Sequence, residues 1–145
     1  MSPLRRQKSR QRRLRRRGPD TAVDGRHLPY AAPIEAYGNG GFVFAGMSHR
    51  GSLLCLPDGI WASPVMHPRE IDAAALRPLF DCIAPISYFL VGTGPDMAAI
   101  APALRQQFRD RNIAVETMAT GAAIRTYNIL LDEKRAIAAL LIAVE

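Results

Sequence analysis

Two short segments hold the residue types best able to meet a ligand. They are Gly92-Thr93-Gly94-Pro95, and Ala119-Thr120-Gly121 with Arg125 one helical turn further on. Each follows an expected strand, wholly apolar before Gly92 and alternating before Ala119, and leads into a stretch with helical spacing. Free backbone N–H groups at a helix start point outward, and the helix dipole favours an anion there. Arg125 adds a guanidinium able to hold a carboxylate or phosphate in a bidentate fork. Gly92, Thr93, Gly94, Thr120, Gly121 and Arg125 therefore form a candidate anion crevice, with Thr93, Thr120 and Arg125 near its mouth. Plainer readings stay open. Glycine at such a corner also lets strand and helix approach closely, and Arg125 could pair with a neighbouring carboxylate. GTG is neither GxGxxG nor GxxxxGK[ST], so dinucleotide and P-loop binding are not indicated.

Other constellations are weaker. There is no GxSxG, and Ser52 begins a strand, so a Ser-His-Asp hydrolase is not indicated. His27, His49 and His67 are far apart in sequence and lack ligand spacing with Cys55 or Cys82. No metal and no cofactor are expected. Tyr37 and Tyr127 would need a partner base to act as acids, and core packing is the simpler role. The glycine-rich Tyr37–Phe42 segment reads as a hairpin, or as a flexible lip over the crevice. No catalytic residue is assigned, and catalysis is not expected.

The elements that would position these residues follow from periodicity. The first third alternates short apolar runs with glycine turns: Pro33–Tyr37, Phe42–Met47, Ser52–Leu56 and Ile60–Ala62, with Ser48–Gly51 and Pro57–Gly59 as turns. That is mainly antiparallel β. His67–Ile83 has helical spacing interrupted by Pro78. Ile86–Val91 is wholly apolar, as a central strand covered on both faces should be. Met97, Ile100, Leu104 and Phe108 predict a helix over Pro95–Arg111, disturbed at Pro102. Ile113–Met118 predicts a strand. A helix capped by Thr120 carries Ile124, Tyr127, Asn128, Leu131 and Arg135. Ala136–Val144 predicts the last strand. The second half is thus β-α-β-α-β, and the fold class is α/β with a mixed sheet. One helix joining Ile86–Val91 to Ile113–Met118 makes those strands parallel, so both turns should leave the same sheet edge.

The charge is unevenly placed. The 145 residues contain 19 Lys and Arg and 13 Asp and Glu, for a net of +6. Residues 1–17 hold nine of the basic residues and no acid, leaving the remainder at −3. The sequence pI of about 10.0 therefore describes the tail and is no argument for a nucleic-acid-binding domain. Residues 1–29 read as a disordered basic tail and linker, and residues 30–145 as a single domain. Weak contact between the tail and polyanions, a targeting role and a mis-assigned start all stay open. Two isolated cysteines suit a reducing compartment. The longest apolar run, the nine residues of Ala136–Val144, falls short of the roughly 20 needed to span a bilayer.

Four segments together resemble one family. They are Tyr37-Gly38-Asn39-Gly40-Gly41-Phe42, Gly51-Ser52-Leu53-Leu54, Val91-Gly92-Thr93-Gly94, and Met118-Ala119-Thr120-Gly121-Ala122-Ala123 with Arg125-Thr126-Tyr127-Asn128 just after. The family is a widespread domain of unknown function. Its eukaryotic member is the mitochondrial complex I assembly factor 3, and its bacterial members are mostly uncharacterised. The resemblance covers residues 30–145. It implies a three-layer α/β domain around a central mixed sheet and brings no established activity or cofactor. Where this chain has Ala119 the family commonly has Asp, which makes acid–base chemistry at this corner still less expected. The resemblance suggests a non-catalytic protein that binds protein partners, among them subunits of respiratory complex I or another membrane complex. It also suggests a cytoplasmic location, or the mitochondrial matrix in a eukaryote. The alternative is an anionic-metabolite binder or weak enzyme using the crevice at Gly92–Gly94 and Thr120–Arg125.

Overall fold

The structure, a computed structural model, describes residues 26–145. The expected tail over residues 1–25 lies outside the described residues. Strands β1 (Ile34–Gly38), β2 (Gly41–Phe44) and β3 (Met47–Arg50) form a small antiparallel sheet. Strands β4 (Ser52–Leu56), β5 (Gly59–Ser63), β6 (Tyr88–Gly92), β7 (Ala114–Met118) and β8 (Ile137–Leu141) form a second sheet in the order β5-β4-β8-β6-β7. It is mixed: β4 is antiparallel to β5 and β8, while β6 is parallel to β7 and β8. Helices α1 (Arg77–Phe80), α2 (Pro102–Asp110) and α3 (Thr120–Asp132) complete the fold.

Strand periodicity sorts the core into two halves. Leu53 and Cys55 of β4, with Ile137, Ala139 and Leu141 of β8, face α3 and the small sheet. Leu54 and Leu56, with Ala138 and Leu140, face α1 and α2. A strand buried on both faces must be apolar at every position, and β4 and β8 are buried throughout. Phe89 and Val91 of β6 are fully buried, as the sequence predicts. The three layers are therefore α1 and α2, the mixed sheet, and α3 with the small sheet.

Local differences from the sequence reading have local causes. The run Phe42–Met47 is cut by a two-residue turn at Ala45-Gly46, with φ of 49° and 73°. Asn39-Gly40 makes the matching turn between β1 and β2, with φ of 53° and 80°. Two successive positive φ values give the turn whose twist suits a hairpin. An alanine there costs about 1–2 kcal/mol, which is why Ala45 gives no turn signal. The expected turn Ser48–Gly51 is instead strand β3, and the chain passes to the other sheet at Gly51, with φ 96°. The expected helix His67–Ile83 shrinks to a 3-10 turn at Pro68–Glu70 and the short α1, because Pro78 is accommodated only in a helix's first turn. The helix expected over Pro95–Arg111 starts at Pro102. Ala101 is extended there, as a residue before proline prefers. Met97, placed in the buried stripe, is 63% exposed, whereas Ile100, Leu104 and Phe108 are buried. Packing also begins before residue 30: Leu28 is buried and pairs with Ile60 at the β5 edge.

Candidate functional site

The two turns meet. Parallel pairing of β6 with β7 brings Gly92 level with Met118, so both strands leave the sheet at one edge. There the Thr120 N–H donates to the Gly94 carbonyl at 2.8 Å, and the Gly94 N–H donates to the Thr120 hydroxyl at 2.9 Å. The Thr120 hydroxyl in turn donates to the Ile142 carbonyl at 2.8 Å, tying in the chain beyond β8. Gly92 is required by this closeness, since a Cβ there would come 3.0 Å from the Thr120 Cα.

The threonines are structural. Thr93 and Thr120 are both buried, not at the crevice mouth. The Thr93 hydroxyl donates to the Asp96 carbonyl at 2.7 Å and accepts the Ala98 N–H at 3.0 Å. These bonds hold residues 93–98 in a non-helical loop, so one helix start faces the crevice, not two. Thr120 is the first helical residue of α3, with Ala119 as the cap, and its hydroxyl reaches across to Gly94 and Ile142 instead of closing its own helix. A side chain already engaged across the crevice cannot act as the N-cap expected from sequence.

What remains open to a ligand is a cleft of about 400 Å³ lined by Tyr37, Gly94, Gly121, Arg125 and Glu145, among others. The N–H groups of Gly121 and Ala122 have no partner among the described residues, as expected in a first helical turn. Arg125, one turn along the same helix, is exposed and makes no ion pair or hydrogen bond among the described residues. Tyr37 stands over Gly121, where any Cβ would collide with its hydroxyl. The hairpin that carries Tyr37 is thus a wall of the cleft, and Tyr37 is 46% exposed instead of packed in the core. Tyr127 is buried and donates to the Ala32 carbonyl at 3.1 Å. Glu145 also lines the cleft, so its rim carries a carboxylate as well as the Arg125 guanidinium. The corner is therefore bipolar, and suits a guest with both an acidic and a donor group better than a bare polyanion. A larger depression, about 730 Å³ between Pro33, Pro57, Leu131 and Arg135, lies at the C-terminal half of α3 and includes neither turn.

Sequence spacing missed three pairings. His27 and His49 come together with ring centroids 4.9 Å apart. Burial, then the charge of His27, lowers the His49 pKa to about 4. No group of three potential ligands occurs among the described residues. Tyr88 donates a hydrogen bond to Glu116. Parallel register sets Tyr88 opposite Ala114, which makes Glu116 its diagonal neighbour on the same face. Asn128 of α3 donates to the Ile34 carbonyl and accepts the Ile34 N–H, each at 2.9 Å. The Ser52 hydroxyl is buried and accepts the Ala143 N–H, which fits its reading as structural. Burial pushes the Cys55 thiol up to about 12, which makes it inert as a nucleophile.

Residues 34–142 match the family described as protein of unknown function (DUF498/DUF598). The chain belongs to this family. An uncharacterised protein of Rhodobacter capsulatus is 37% identical over 113 residues, which cover 77% of this chain and 85% of that one. The NADH dehydrogenase [ubiquinone] 1 alpha subcomplex assembly factor 3 of Xenopus tropicalis is 33% identical over 110 residues, 75% of this chain and 60% of the relative. This chain thus spans well under two thirds of that assembly factor. Among solved structures, a crystal structure described as an outer membrane protein from Bartonella henselae shares 47% identity, with a TM-score of 0.76, over 82% of this chain and 100% of that one. Among the described residues no helix is long and apolar enough to cross a membrane.

Proposed function

We propose that this protein is a non-catalytic binding factor that assists assembly of a respiratory membrane complex of the complex I type, working from the cytoplasm or its mitochondrial equivalent. The observation that carries this reading is the 33% identity to complex I assembly factor 3 over 110 residues. The cleft chemistry supports it. Thr93 and Thr120 are held by backbone partners, and Ala119 stands where the resemblance expects a carboxylate. What is left at the rim, Arg125, Glu145 and Tyr37, is suited to recognition. A partner's acidic side chain would sit between the Arg125 guanidinium and the Gly121 and Ala122 N–H groups. The test is affinity purification of the tagged chain from its native cell, with and without Arg125→Ala, alongside native gels of membranes from cells lacking the protein. The expected result is co-purification of membrane-complex subunits, weakened by Arg125→Ala, and a shortage of assembled complex in the deletion. Normal complex levels and unrelated partners would overturn it.

A second reading has its own observation: two free N–H groups and an unpaired arginine converge on one cleft. We infer from this that a small anionic metabolite could occupy the same corner. A rise in melting temperature with a member of an anionic metabolite panel, absent in Arg125→Ala, would support it. No response across the panel would remove it.

A further inference from the structure

The two edges of the mixed sheet are treated differently by the fold. At the β5 edge, residues 27 and 28 lie alongside: the His27 N–H donates to the Ile60 carbonyl at 2.8 Å, and the Ile60 N–H donates to the Leu28 carbonyl at 2.9 Å. That edge is covered at Ile60 by this bridge. At the β7 edge nothing equivalent is present among the described residues. The Ala114 N–H donates to the Ser87 carbonyl and the Met118 carbonyl accepts the Thr93 N–H, so the even-numbered residues of β7 point their backbone groups at β6. Alternation then turns the N–H and C=O groups of Val115 and Thr117 outward. One of these four groups is covered: the Val115 carbonyl accepts a hydrogen bond from the Arg105 guanidinium at 3.3 Å.

The rim of this edge is charged on one side. Arg105, Arg109, Ile113, Ala114 and Val115 line a cleft of about 270 Å³. Neither arginine forms an ion pair among the described residues. Arg109 donates to the Gln106 side chain at 2.6 Å, and Gln106 also holds the nearby Asp110 carboxylate at 2.8 Å. Arg105 and Arg109 are one helical turn apart, about 6 Å along α2. In an extended strand, side chains on one face recur at about 6.6 Å. The two spacings match. On the opposite face of β7, Glu116 is engaged by the Tyr88 hydroxyl.

We infer that the β7 edge is a docking surface for an extended acidic segment of a partner protein, which adds to the sheet as a sixth strand. Its backbone bonds the outward groups of Val115 and Thr117, and a partner N–H replaces Arg105 on the Val115 carbonyl. The freed Arg105, with Arg109, takes carboxylates at alternate positions of the segment. Arg105 thus guards the edge until an acidic strand arrives, which is how charge on an edge prevents indiscriminate pairing. A second copy of this chain fits poorly. Two-fold pairing about Glu116 would set Glu116 against Glu116 and crowd the arginines of two α2 helices on one rim. This inference concerns a different surface from the Arg125 cleft and does not depend on the assembly reading.

The test is an NMR titration of the isotopically labelled protein with an octapeptide of alternating glutamate and valine, with a lysine–valine octapeptide as control. The expected result is amide shifts centred on Val115 and Thr117, slowed hydrogen exchange at those two amides, and no response to the lysine peptide. Arg105→Glu with Arg109→Glu should weaken binding about tenfold or more. Thr117→Pro should fold, since edge strands tolerate proline where the N–H faces solvent, and should block binding. If that variant does not fold, the arginine variant alone carries the test, with its folding checked by the same spectrum. Three outcomes would overturn the inference: unprotected Val115 and Thr117 amides at saturating peptide, shifts centred on Gly121–Arg125, or concentration-dependent protection of the β7 amides without peptide, which would assign the edge to a second copy.

Discussion

The two faces of the mixed sheet hold comparable apolar cores by different means. On the α2 face the fastening is aromatic. Phe108 stacks on Phe80 at 5.4 Å and leans on Phe89 at 5.0 Å, and Arg111 caps Phe80 at 4.5 Å. On the α3 face apolar packing is joined by directional bonds: Asn128 to both backbone groups of Ile34, Tyr127 to Ala32, and Thr120 to Gly94 and Ile142. Packing specifies shape and volume but tolerates small slides, whereas hydrogen bonds fix position. The Arg125 cleft opens on the bonded face, where its walls come from the small sheet, α3 and the β6 turn. A recognition site assembled from three elements needs that positional control.

Truncating the aromatic fastening should have the largest effect. Phe108→Ala should cost about 3–5 kcal/mol through the cavity it leaves among Phe80, Phe89 and Leu104. Urea unfolding would check it. A loss under about 1 kcal/mol would mean that the α2 face is loosely held and that the comparison fails.

On the other face Asn128→Ala should cost about 2–3 kcal/mol, because it strands the N–H and the C=O of Ile34 together. Asn128→Asp keeps the acceptor and loses the donor, so about half the loss is expected. Equal losses would show that the clamp acts through packing. Thr120→Val is smaller, about 1–2 kcal/mol, since shape is kept while Gly94 N–H and Ile142 C=O lose their shared partner. Its sharper signature is positional: amide shifts of Gly94 and Gly121 should move more than those of Phe108.

These differences also explain what the sequence disclosed. The continuous apolar character of β4, β6 and β8 is a property of each strand alone, so the two-sided sheet and its α/β class are readable from Ser52–Leu56, Tyr88–Gly92 and Ile137–Leu141. The meeting of the Gly92 and Thr120 turns follows from one crossover and is likewise readable. The family is legible from glycine positions such as Gly92 and Gly121, whose small size the cleft geometry requires. Side-chain destinations are not legible in the same way. Thr120 looks like a cap because its neighbours in sequence are a helix, yet its partners lie 26 and 22 residues away. Asn128 clamps a strand 94 residues distant, and His27 meets His49 across a sheet edge. Pro78 and Pro102 were visible, but the bonds of the Thr93 hydroxyl to Asp96 and Ala98, which hold the first part of residues 95–101 out of the helix, were not.

The smallest effect separates the small sheet from both faces. His49 of β3 lies against His27 and Phe44, and burial followed by the charge of His27 lowers its pKa from 6.5 to about 4. The unfolded chain therefore takes up a proton on His49 below about pH 6.5, while the folded chain resists until about pH 4. With more protons bound in the unfolded state, stability must fall as the pH drops through that window, and the contribution is fully present above it. The shift alone would amount to about 3 kcal/mol, and partial exposure of the ring to solvent reduces this to about 1–2 kcal/mol. Urea unfolding at pH 7 and pH 5 reads about half of the change before ordinary carboxylates titrate. His49→Gln should show a shallower dependence than the parent over that interval, and its own stability at pH 7 is immaterial to the slope. Parallel curves for parent and variant would mean that the small sheet relaxes to admit a charged His49. The hairpin bearing Tyr37 would then be a yielding wall of the cleft, and the positional control ascribed to the α3 face would stop at Asn128.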